Sequence, residues 1–542
     1  MDPALWLKPP FDDETQHEVR RLMKEDPKSL SDAFFQTLSF GTGGMRGLMG
    51  VGTNRMNVYT VRAATQGLAR YLIRSMPGPK KVFIGYDTRH NSRLFAEETA
   101  RVLAAHEIEA LITEEICPTP LVSFGCRHFD CSAAVMITAS HNPPAYNGYK
   151  VYWKGGAQVV SPHDEGIMQE VRQASDFSKL LIAPLKSPKI HWIGGDLDQA
   201  YLSELAQLKG PVSPLRILYT PLHGTGLRLA KKALHLWGFD QVGLVEPQAT
   251  PDGKFPNAPS PNPEEESAMR LGMDQMIRTG ADLLLATDPD ADRMGVAIHQ
   301  DGKAIRFTGN QIGALLLHHL CTTRKIPKHS ACIKTIVTSE LLKKIAHHFH
   351  VECIDVLTGF KYIAEKMNAW EKTGPHFLFG AEESYGYLYG TMVRDKDGIN
   401  ACCLMAEAAA KAKSEGKTLQ DRLQELYHQF GIHREALANL KFPDSLEGMQ
   451  QMEQFMKRLR SNPPSKIAGT SVTSMDDFLK PSPLPKSDVL RFWLSDGTKL
   501  VVRPSGTEPK IKIYIEVSPK NLSLAESDAL LQTYLAACKK IT

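Results

Sequence analysis

A short polar segment directly after an apolar run carries residues suited to group-transfer chemistry. The segment reads TASHNPP at 138–144 and follows the apolar residues 133–137. Its two prolines restrict the backbone and bias Asn142 away from helix, which predicts that Ser140 and His141 lie in a fixed loop. A serine presented in this way can carry a phosphoryl group. Taken by itself, however, the segment is equally compatible with an ordinary turn.

A second segment, DPDADR at 288–293, follows the apolar run at 283–286. Alternation along an extended chain is expected to place the carboxylates of Asp288, Asp290 and Asp292 on one side. A calcium EF-hand loop would need glycine at its sixth position and glutamate at its twelfth, where this chain has arginine and histidine. A solvated acidic turn would leave three like charges uncompensated. The segment therefore predicts a Mg²⁺ site, since Mg²⁺ prefers a few carboxylates together with phosphate oxygens.

These two segments, TASHNPPAYNGYK at 138–150 and DPDADR at 288–293, resemble motifs of the α-D-phosphohexomutases, the family of phosphoglucomutases and phosphomannomutases. FGTGGMRG at 40–47 resembles the amino-terminal arginine loop of that family. RPSGTEPKIKIY at 503–514 resembles its carboxy-terminal phosphate loop. The motifs stand in the family's order and span nearly the whole chain.

The sequences of three motifs look most similar to the longer phosphoglucomutase branch, which also contains phosphopentomutases and sugar-bisphosphate synthases. These motifs are FGTGGMRG, LTGFK at 357–361 and GAEESYGY at 380–387.

The resemblance implies the chemistry of the reacting phosphate. It implies that Ser140 is phosphorylated in the resting enzyme and that one phosphate oxygen completes a Mg²⁺ shell with Asp288, Asp290 and Asp292. Cations are expected to hold a phosphoserine through charge-assisted hydrogen bonds. Glucose 1,6-bisphosphate is the implied activator.

The same resemblance suggests which side chains assist the transfer. Arg46 and Lys150 are the expected cations near the phosphate. Lys150 and His141 are the candidates for the base, with Lys150 preferred because neighbouring cations should depress its pKa. Some phosphomannomutases carry histidine after the Glu-x-Ser sugar loop, where this chain has Tyr385. Lys396 resembles the lysine that phosphoglucomutases offer as acid for the reverse step.

The resemblance also implies a set of substrate-binding residues. Carboxylate and hydroxyl groups can bind adjacent sugar hydroxyls, and a guanidinium with hydroxyl and amide donors can hold the phosphate that does not react. The expected residues are Arg293, Thr358, Gly359, Glu382, Ser384, Arg503, Ser505, Gly506 and Thr507.

The predicted function is a Mg²⁺-dependent interconversion of glucose 1-phosphate and glucose 6-phosphate through a bisphosphate. Alternatives are a phosphomannomutase or phosphopentomutase, a glucose-1,6-bisphosphate synthase, a phosphoserine-dependent phosphatase, and a scaffold that binds phosphosugar without catalysis. The sugar is not determined, because its recognition rests on a few hydrogen bonds.

The elements that must position these residues alternate between strand and helix. Apolar strands are predicted from Lys81, Leu215 and Ala331, each opening an α/β unit. Strands at 489–494, 499–503 and 511–517 come before a final helix. The predicted fold class is α/β, with three similar mixed α/β domains and a C-terminal α+β domain. The resemblance implies that these four domains surround a central cleft. The predicted domains cover 1–200, 201–308, 309–430 and 431–542.

Composition narrows the function classes. The 542 residues are 42% apolar, enough for several cores, and the net charge of +4 does not favour nucleic acid or an acidic membrane surface. The chain has neither a P-loop nor a dinucleotide fingerprint, which makes ATP or NAD use unexpected. The nine cysteines are expected to be reduced, and no zinc site is expected. The expectation is a cytoplasmic protein that acts on a small phosphosugar, with no membrane association and no evident protein partner.

Overall fold

Helices and strands alternate along most of the chain. The structure is a computed structural model that describes residues 2–38, 40–41, 44–174, 176–443, 445–505 and 509–539. The α-helices, numbered α1 to α16, are Asp13–Glu25, Pro27–Phe34, Val58–Ser75, Ser92–Ala105, Thr119–His128, His163–Gln173, Asp196–Ala206, Leu227–Trp237, Glu266–Thr279, Gly309–Thr323, Glu340–His348, Phe360–Trp370, Gly398–Ser414, Leu419–Phe430, Leu446–Ser461 and Leu524–Cys538.

The strands, numbered β1 to β22, are Phe40–Gly41, Gly44–Leu48, Lys81–Tyr86, Glu109–Thr113, Ala133–Ile137, Tyr146–Trp153, Ile190–Ile193, Ile217–Thr220, Val242–Leu244, Leu283–Thr287, Met294–Gln300, Lys303–Arg306, Ser330–Thr335, Glu352–Val356, His376–Glu382, Gly386–Tyr389, Arg434–Lys441, Lys466–Ile467, Thr470–Asp477, Leu490–Leu494, Lys499–Pro504 and Lys510–Val517.

The chain forms two compact units. The first unit comprises Met1–Phe307, Phe360–Gly374 and Tyr385–Lys411, and the second comprises Thr308–Gly359, Pro375–Ser384 and Ala412–Thr542. The four predicted domain boundaries stay predictions.

The first unit contains two mixed sheets. One has the strand order β1-β2-β6-β5-β3-β4-β7, in which β3, β4, β5 and β7 are parallel while β1, β2 and β6 join antiparallel. The other has the order β12-β11-β10-β8-β9, with β8 parallel to both β9 and β10. The central strands β5 and β10 are buried at every position. Their continuous apolar sequences fit strands that helices cover on both faces.

Helices that connect strands of the first sheet bury an apolar stripe against it. Helix α3 begins at a capping box, in which the Asn57 and Thr60 side chains each accept from the other's backbone N–H. Its residues Val61, Leu68 and Leu72 pack into the same core as Val135 and Ile137 of β5. This packing makes β5 a rigid base for the turn that follows it.

The second unit combines parallel and antiparallel pairing. Strand β13 lies between β14 and β15 and is parallel to both. Strands β17 to β22 form an antiparallel sheet of order β17-β22-β21-β20-β19-β18, against which α15 and α16 bury apolar residues such as Phe455 and Tyr534. The three strands predicted near the carboxy terminus and the final helix are confirmed as β20, β21, β22 and α16.

In the described part of the chain, no helix is long and apolar enough to cross a membrane. All nine cysteines carry free thiols.

Candidate active site

Ser140 occupies a turn at the end of β5. Its φ is +53°, a left-handed conformation that is uncommon for a non-glycine residue, and its N–H donates to Thr138 Oγ1 at 2.8 Å. The residue is almost fully buried at 2% exposure. A strained backbone of this kind persists only where its surroundings over-determine it.

Arg89 stabilises this turn through hydrogen bonds to its backbone. Its buried guanidinium donates to the carbonyl oxygens of Ser140 and Asn142 at 2.5 Å each, of Pro143 at 2.8 Å and of Tyr146 at 3.1 Å. Asp87 Oδ2 lies 3.2 Å from Arg89 Nε and balances its charge. Sequence reasoning missed this pair, although two opposite charges directly after the buried strand β3 were a usable signal.

The three aspartates converge after β10. One carboxylate oxygen from each of Asp288, Asp290 and Asp292 lies within 4.8 Å of the others, and all three residues are buried. The extended chain predicted for this segment is wrong. The backbone turns instead, with Ala291 N–H donating to Asp288 O at 2.9 Å and Ala291 φ at +53°, so a turn rather than strand alternation gathers the carboxylates.

These aspartates fit a divalent cation. Asp290 Oδ1 and Asp292 Oδ1 are buried oxygens that accept no hydrogen bond from the described residues. Burial and the two neighbouring carboxylates raise the pKa of Asp288 well above its usual range. Three close carboxylates with unsatisfied oxygens, in a water-poor setting, are the donor set that a hard cation requires.

Ser140 reaches this cluster across a sequence separation of 148 residues. Its hydroxyl donates to Asp288 Oδ2 at 2.9 Å, and its Oγ lies 3.2 Å from Nδ1 of His141. Burial, helped by the charges of Arg293 and Arg46, lowers the pKa of His141 well below its usual value. The lowered pKa disfavours the charged imidazolium, so His141 is a weaker base here than a free histidine.

Lys150 lies in β6 with its ammonium against the same carboxylates. Its Nζ is 2.7 Å from Asp290 Oδ2 and 3.2 Å from Asp292 Oδ2. Burial by itself would lower the pKa of Lys150, but these two carboxylates outweigh it and raise the pKa. The expectation that neighbouring cations depress the pKa of Lys150 is therefore wrong for the structure as it stands, because its nearest charges are anionic.

Lys396 also contacts the aspartate cluster. Its Nζ lies 3.0 Å from Asp292 Oδ2 and 3.3 Å from Asp395 Oδ1. Asp395 is itself held by Tyr152 Oη and Gln158 Nε2, both at 2.8 Å. Sequence reasoning did not identify these three supporting residues, since they become neighbours only through the fold.

Two arginines complete the surroundings of the aspartates. Arg46, on β2, donates from Nη1 to Asn142 Oδ1 at 3.2 Å and keeps a buried Nε without an acceptor among the described residues. Arg293 donates from Nη1 to Glu264 Oε1 at 2.5 Å, and its backbone N–H donates to Asp288 Oδ1 at 3.0 Å. Glu264 is a further residue that the sequence did not single out.

The predicted sugar-binding residues lie in the second unit. Gly359 N–H donates to Glu382 Oε1 at 2.9 Å, so two of these residues come together. Thr358 Oγ1 is buried without a hydrogen-bond partner among the described residues, and Ser384 is half-buried after β15. Glu383 has a different setting, because its Oε2 accepts from the hydroxyls of two threonines in and after β13, each at 3.2 Å.

The predicted phosphate clamp is described in part. Arg503 is half-buried near the end of β21, and Ser505 N–H donates to Lys510 O at 2.8 Å, which closes the loop between β21 and β22. Gly506 and Thr507 lie outside the described residues.

Comparisons with known proteins agree with this architecture. Models of the phosphoglucomutase/phosphomannomutase family match in four pieces: α/β/α domain I at 37–177, α/β/α domain II at 199–302, α/β/α domain III at 308–430 and the C-terminal domain at 437–527. A phosphoglucomutase of Staphylococcus aureus strain MSSA476 is 36% identical over 539 residues, covering 96% of each chain. The chain belongs to the phosphoglucomutase/phosphomannomutase family.

Solved structures show the same fold at lower identity. A phosphoglucomutase/phosphomannomutase family protein from Burkholderia thailandensis superposes with a TM-score of 0.69 at 16% identity, covering 92% of this chain and 97% of the other. Parafusin, a phosphoglucomutase from Paramecium in its open form, gives 0.69 at 18% identity, covering 93% and 96%. The predicted family, the α/β fold class and the prediction of an intramolecular phosphotransferase are confirmed.

Proposed function

We propose that this chain is a Mg²⁺-dependent phosphoglucomutase that interconverts glucose 1-phosphate and glucose 6-phosphate through a phosphoserine and glucose 1,6-bisphosphate. The observation that carries the proposal is the contact of the Ser140 hydroxyl with Asp288, within a cluster of three buried carboxylates and flanking cations. The full-length likeness to a phosphoglucomutase supports the choice of glucose.

Mg²⁺ would be held by Asp288, Asp290, Asp292 and a phosphate oxygen on Ser140. When bound, it offsets negative charge on the phosphoryl group in transit. Arg46 and Arg293 add positive charge from the protein. Their positions are set by Asn142 and by Glu264, so the charge is in place before reaction.

The first transfer breaks the bond between Ser140 Oγ and phosphorus and forms one between phosphorus and the free sugar hydroxyl. Ser140 Oγ leaves with the bonding electrons and takes a proton from one of the two groups that it contacts, Asp288 or His141. The hydroxyl proton must pass to a base, and we assign this role to Lys150. A lysine in this buried position loses its proton more readily once the charge of its carboxylate partners is compensated, because burial then dominates its pKa.

The second transfer returns the other phosphoryl group to Ser140. The Ser140 hydroxyl must then lose its proton, and two acceptors lie within reach: Asp288 Oδ2 at 2.9 Å and His141 Nδ1 at 3.2 Å. The departing sugar oxygen gains a proton, which we assign to Lys396. Glucose 1,6-bisphosphate acts as activator because it can phosphorylate an enzyme that has lost its phosphate.

Residues of the second unit are proposed to recognise the substrate. Glu382, Ser384, Thr358 and Gly359 would bind sugar hydroxyls. The clamp at Arg503, Ser505, Gly506 and Thr507 would bind the phosphate that does not react. The Thr358 hydroxyl, which is buried and has no hydrogen-bond partner among the described residues, supports such a role. We further propose a cytoplasmic location, in which the nine free thiols would stay reduced.

The test is a coupled assay of purified protein with glucose 1-phosphate, Mg²⁺ and a trace of glucose 1,6-bisphosphate. Ser140→Ala is compared with Ser203→Ala, which removes an exposed hydroxyl on α7. Turnover in the wild type and in Ser203→Ala, but not in Ser140→Ala, supports the proposal. Higher turnover on mannose or ribose phosphates, or net accumulation of bisphosphate, would contradict the assignment to glucose phosphate mutation.

A further inference from the structure

The second unit contains an open pocket of about 750 Å³ that the proposed reaction does not use. This volume is within the range of roughly 300–1,000 Å³ typical of small-molecule sites. One wall is the face of α11 that carries Lys343, Lys344 and His347. The other walls are formed by the connection at 430–433 and by the loop 518–522 after β22.

The floor of the pocket is a row of side chains across three paired strands. Trp493 is opposite Lys499, and Lys499 is opposite Glu516. Lys499 Nζ lies 2.8 Å from Glu516 Oε2 and 2.8 Å from Glu340 Oε1, and His433 Nδ1 lies 2.7 Å from Glu516 Oε1. The carboxylates that line the pocket are thus already paired with cationic or hydrogen-bonding groups.

The lysines around the rim have no such ion-pair partner in the described part of the chain. Among the described residues, no carboxylate lies within 4.0 Å of Lys343, Lys344 or Lys520, and Lys344 Nζ donates only to Phe430 O and Ser518 Oγ. Burial and the charge of Lys520 lower the pKa of Lys344, against the opposing influence of Glu516 and Glu340. Three ammonium groups that form no ion pair with the described residues, gathered around one concave surface, favour an anionic ligand.

We propose that this pocket binds a small phosphorylated molecule. The rim lysines and Ser518 would hold its phosphate, and Trp493 would contact its ring. Such a ligand would connect α11, the connection at 430–433 and the loop 518–522, all of which line the pocket.

This pocket is separate from the proposed phosphate clamp. Lys499 begins β21, whereas Arg503 lies four residues further along the same strand, about 13 Å away at the rise of an extended chain. The proposal does not depend on the proposed function, because none of its residues belongs to the proposed catalytic set.

The test places a spectroscopic probe inside the pocket. The full-length chain is labelled with 5-fluorotryptophan, and Trp493→Phe assigns one of the six fluorine resonances. Inorganic pyrophosphate and, separately, AMP are titrated in magnesium-free buffer. We expect a saturable shift of the Trp493 resonance with both, and a larger shift with AMP because it adds a flat ring.

Matched variants decide whether the lysines are responsible. Lys343→Ala with Lys344→Ala is expected to weaken pyrophosphate binding about tenfold or more, since each charged contact is substantial. Lys520→Ala, in a loop, is expected to weaken binding without affecting α11. Lys231→Ala with Lys232→Ala removes an equal charge from an adjacent exposed pair on α8 and should bind like the wild type.

An unmoved Trp493 resonance, a shift that does not saturate, or equal affinity in the rim variants and the α8 control would overturn the proposal. Equal shifts with AMP and pyrophosphate would overturn the part that concerns the ring.

Discussion

Replacing Arg89 with lysine should impair both stability and catalysis, although the substitution keeps the charge and Arg89 does not contact the aspartate cluster. The guanidinium donates to four backbone carbonyls of the Ser140 turn and is fully buried together with Asp87. A lysine has one nitrogen with three donors, so it cannot reproduce the planar fork that spans these carbonyls.

The magnitude follows from the hydrogen bonds that are lost. If two of the four carbonyls lose their donor, and each unsatisfied buried group costs about 1–3 kcal/mol, unfolding should become easier by roughly 2–6 kcal/mol. Ser140 would also lose the support for its left-handed backbone. A displacement on the order of 1 Å at the transferring oxygen can lower kcat by about 100-fold.

Urea unfolding and steady-state phosphoglucomutase assays on Arg89→Lys give both quantities. The matched control is Arg93→Lys, four residues away, where an arginine of 63% side-chain exposure pairs with Glu97 at the surface. The control should change stability by less than about 1 kcal/mol. Equal stability and kcat in the two variants would refute the account of how the Ser140 turn is held.

Three further predictions concern the proposed metal-binding loop at 288–292 and the buried charges of the second unit. Asp290→Asn should weaken Mg²⁺ binding, measured by calorimetry, by on the order of 100-fold. The control Asp274→Asn, at an exposed position, should leave Mg²⁺ binding unchanged. Equal Mg²⁺ affinity in the two variants would contradict the assignment of the aspartates as ligands. Gly224→Ala would place a Cβ 2.4 Å from the backbone of Pro289 in the loop 288–292 and should weaken Mg²⁺ binding about tenfold. In the control Gly195→Ala the new Cβ meets open space, so Mg²⁺ binding should not change. Equal Mg²⁺ affinity in the two variants would contradict the prediction. Two lysines outweigh the burial of Glu340 and lower the pKa of its carboxyl from 4.5 to about 2. The charged carboxylate therefore adds about 3 kcal/mol to the free energy of unfolding above pH 5. This contribution is lost as the pH falls towards 2. The stability gap between wild type and Glu340→Gln in urea should shrink between pH 6 and pH 3, and a constant gap would contradict the assignment.

The sequence was most informative about the parts of the candidate site that consist of contiguous residues. The Ser140 segment and the three aspartates could be recognised because each follows a buried apolar strand and carries groups that such a strand does not need. The strands near the carboxy terminus were equally readable, since β20, β21 and β22 have short apolar patterns bounded by turn residues.

What could not be predicted depends on distance in sequence. The partners of Lys150 are 140 and 142 residues away, so the sequence predicts cationic neighbours where the nearest charges are carboxylates. The sequence predicts extended chain at Ala291, where the structure has a turn, because alternating aspartates suit a strand as well as a turn. Likewise, Tyr152 holds Asp395, which contacts Lys396, and no local pattern predicts a hydrogen bond between residues 243 positions apart.

The central claim is that Ser140 carries the phosphoryl group, and peptide mass spectrometry tests it most directly. Wild type and Ser140→Ala are incubated with glucose 1,6-bisphosphate and Mg²⁺, desalted and digested, and a second portion is first exposed to excess glucose 6-phosphate. We expect one phosphoryl group on the peptide that contains Ser140, its absence from the variant, and its loss to the sugar as bisphosphate. A phosphoryl group on another residue, or equal labelling of Ser140→Ala, would contradict the account.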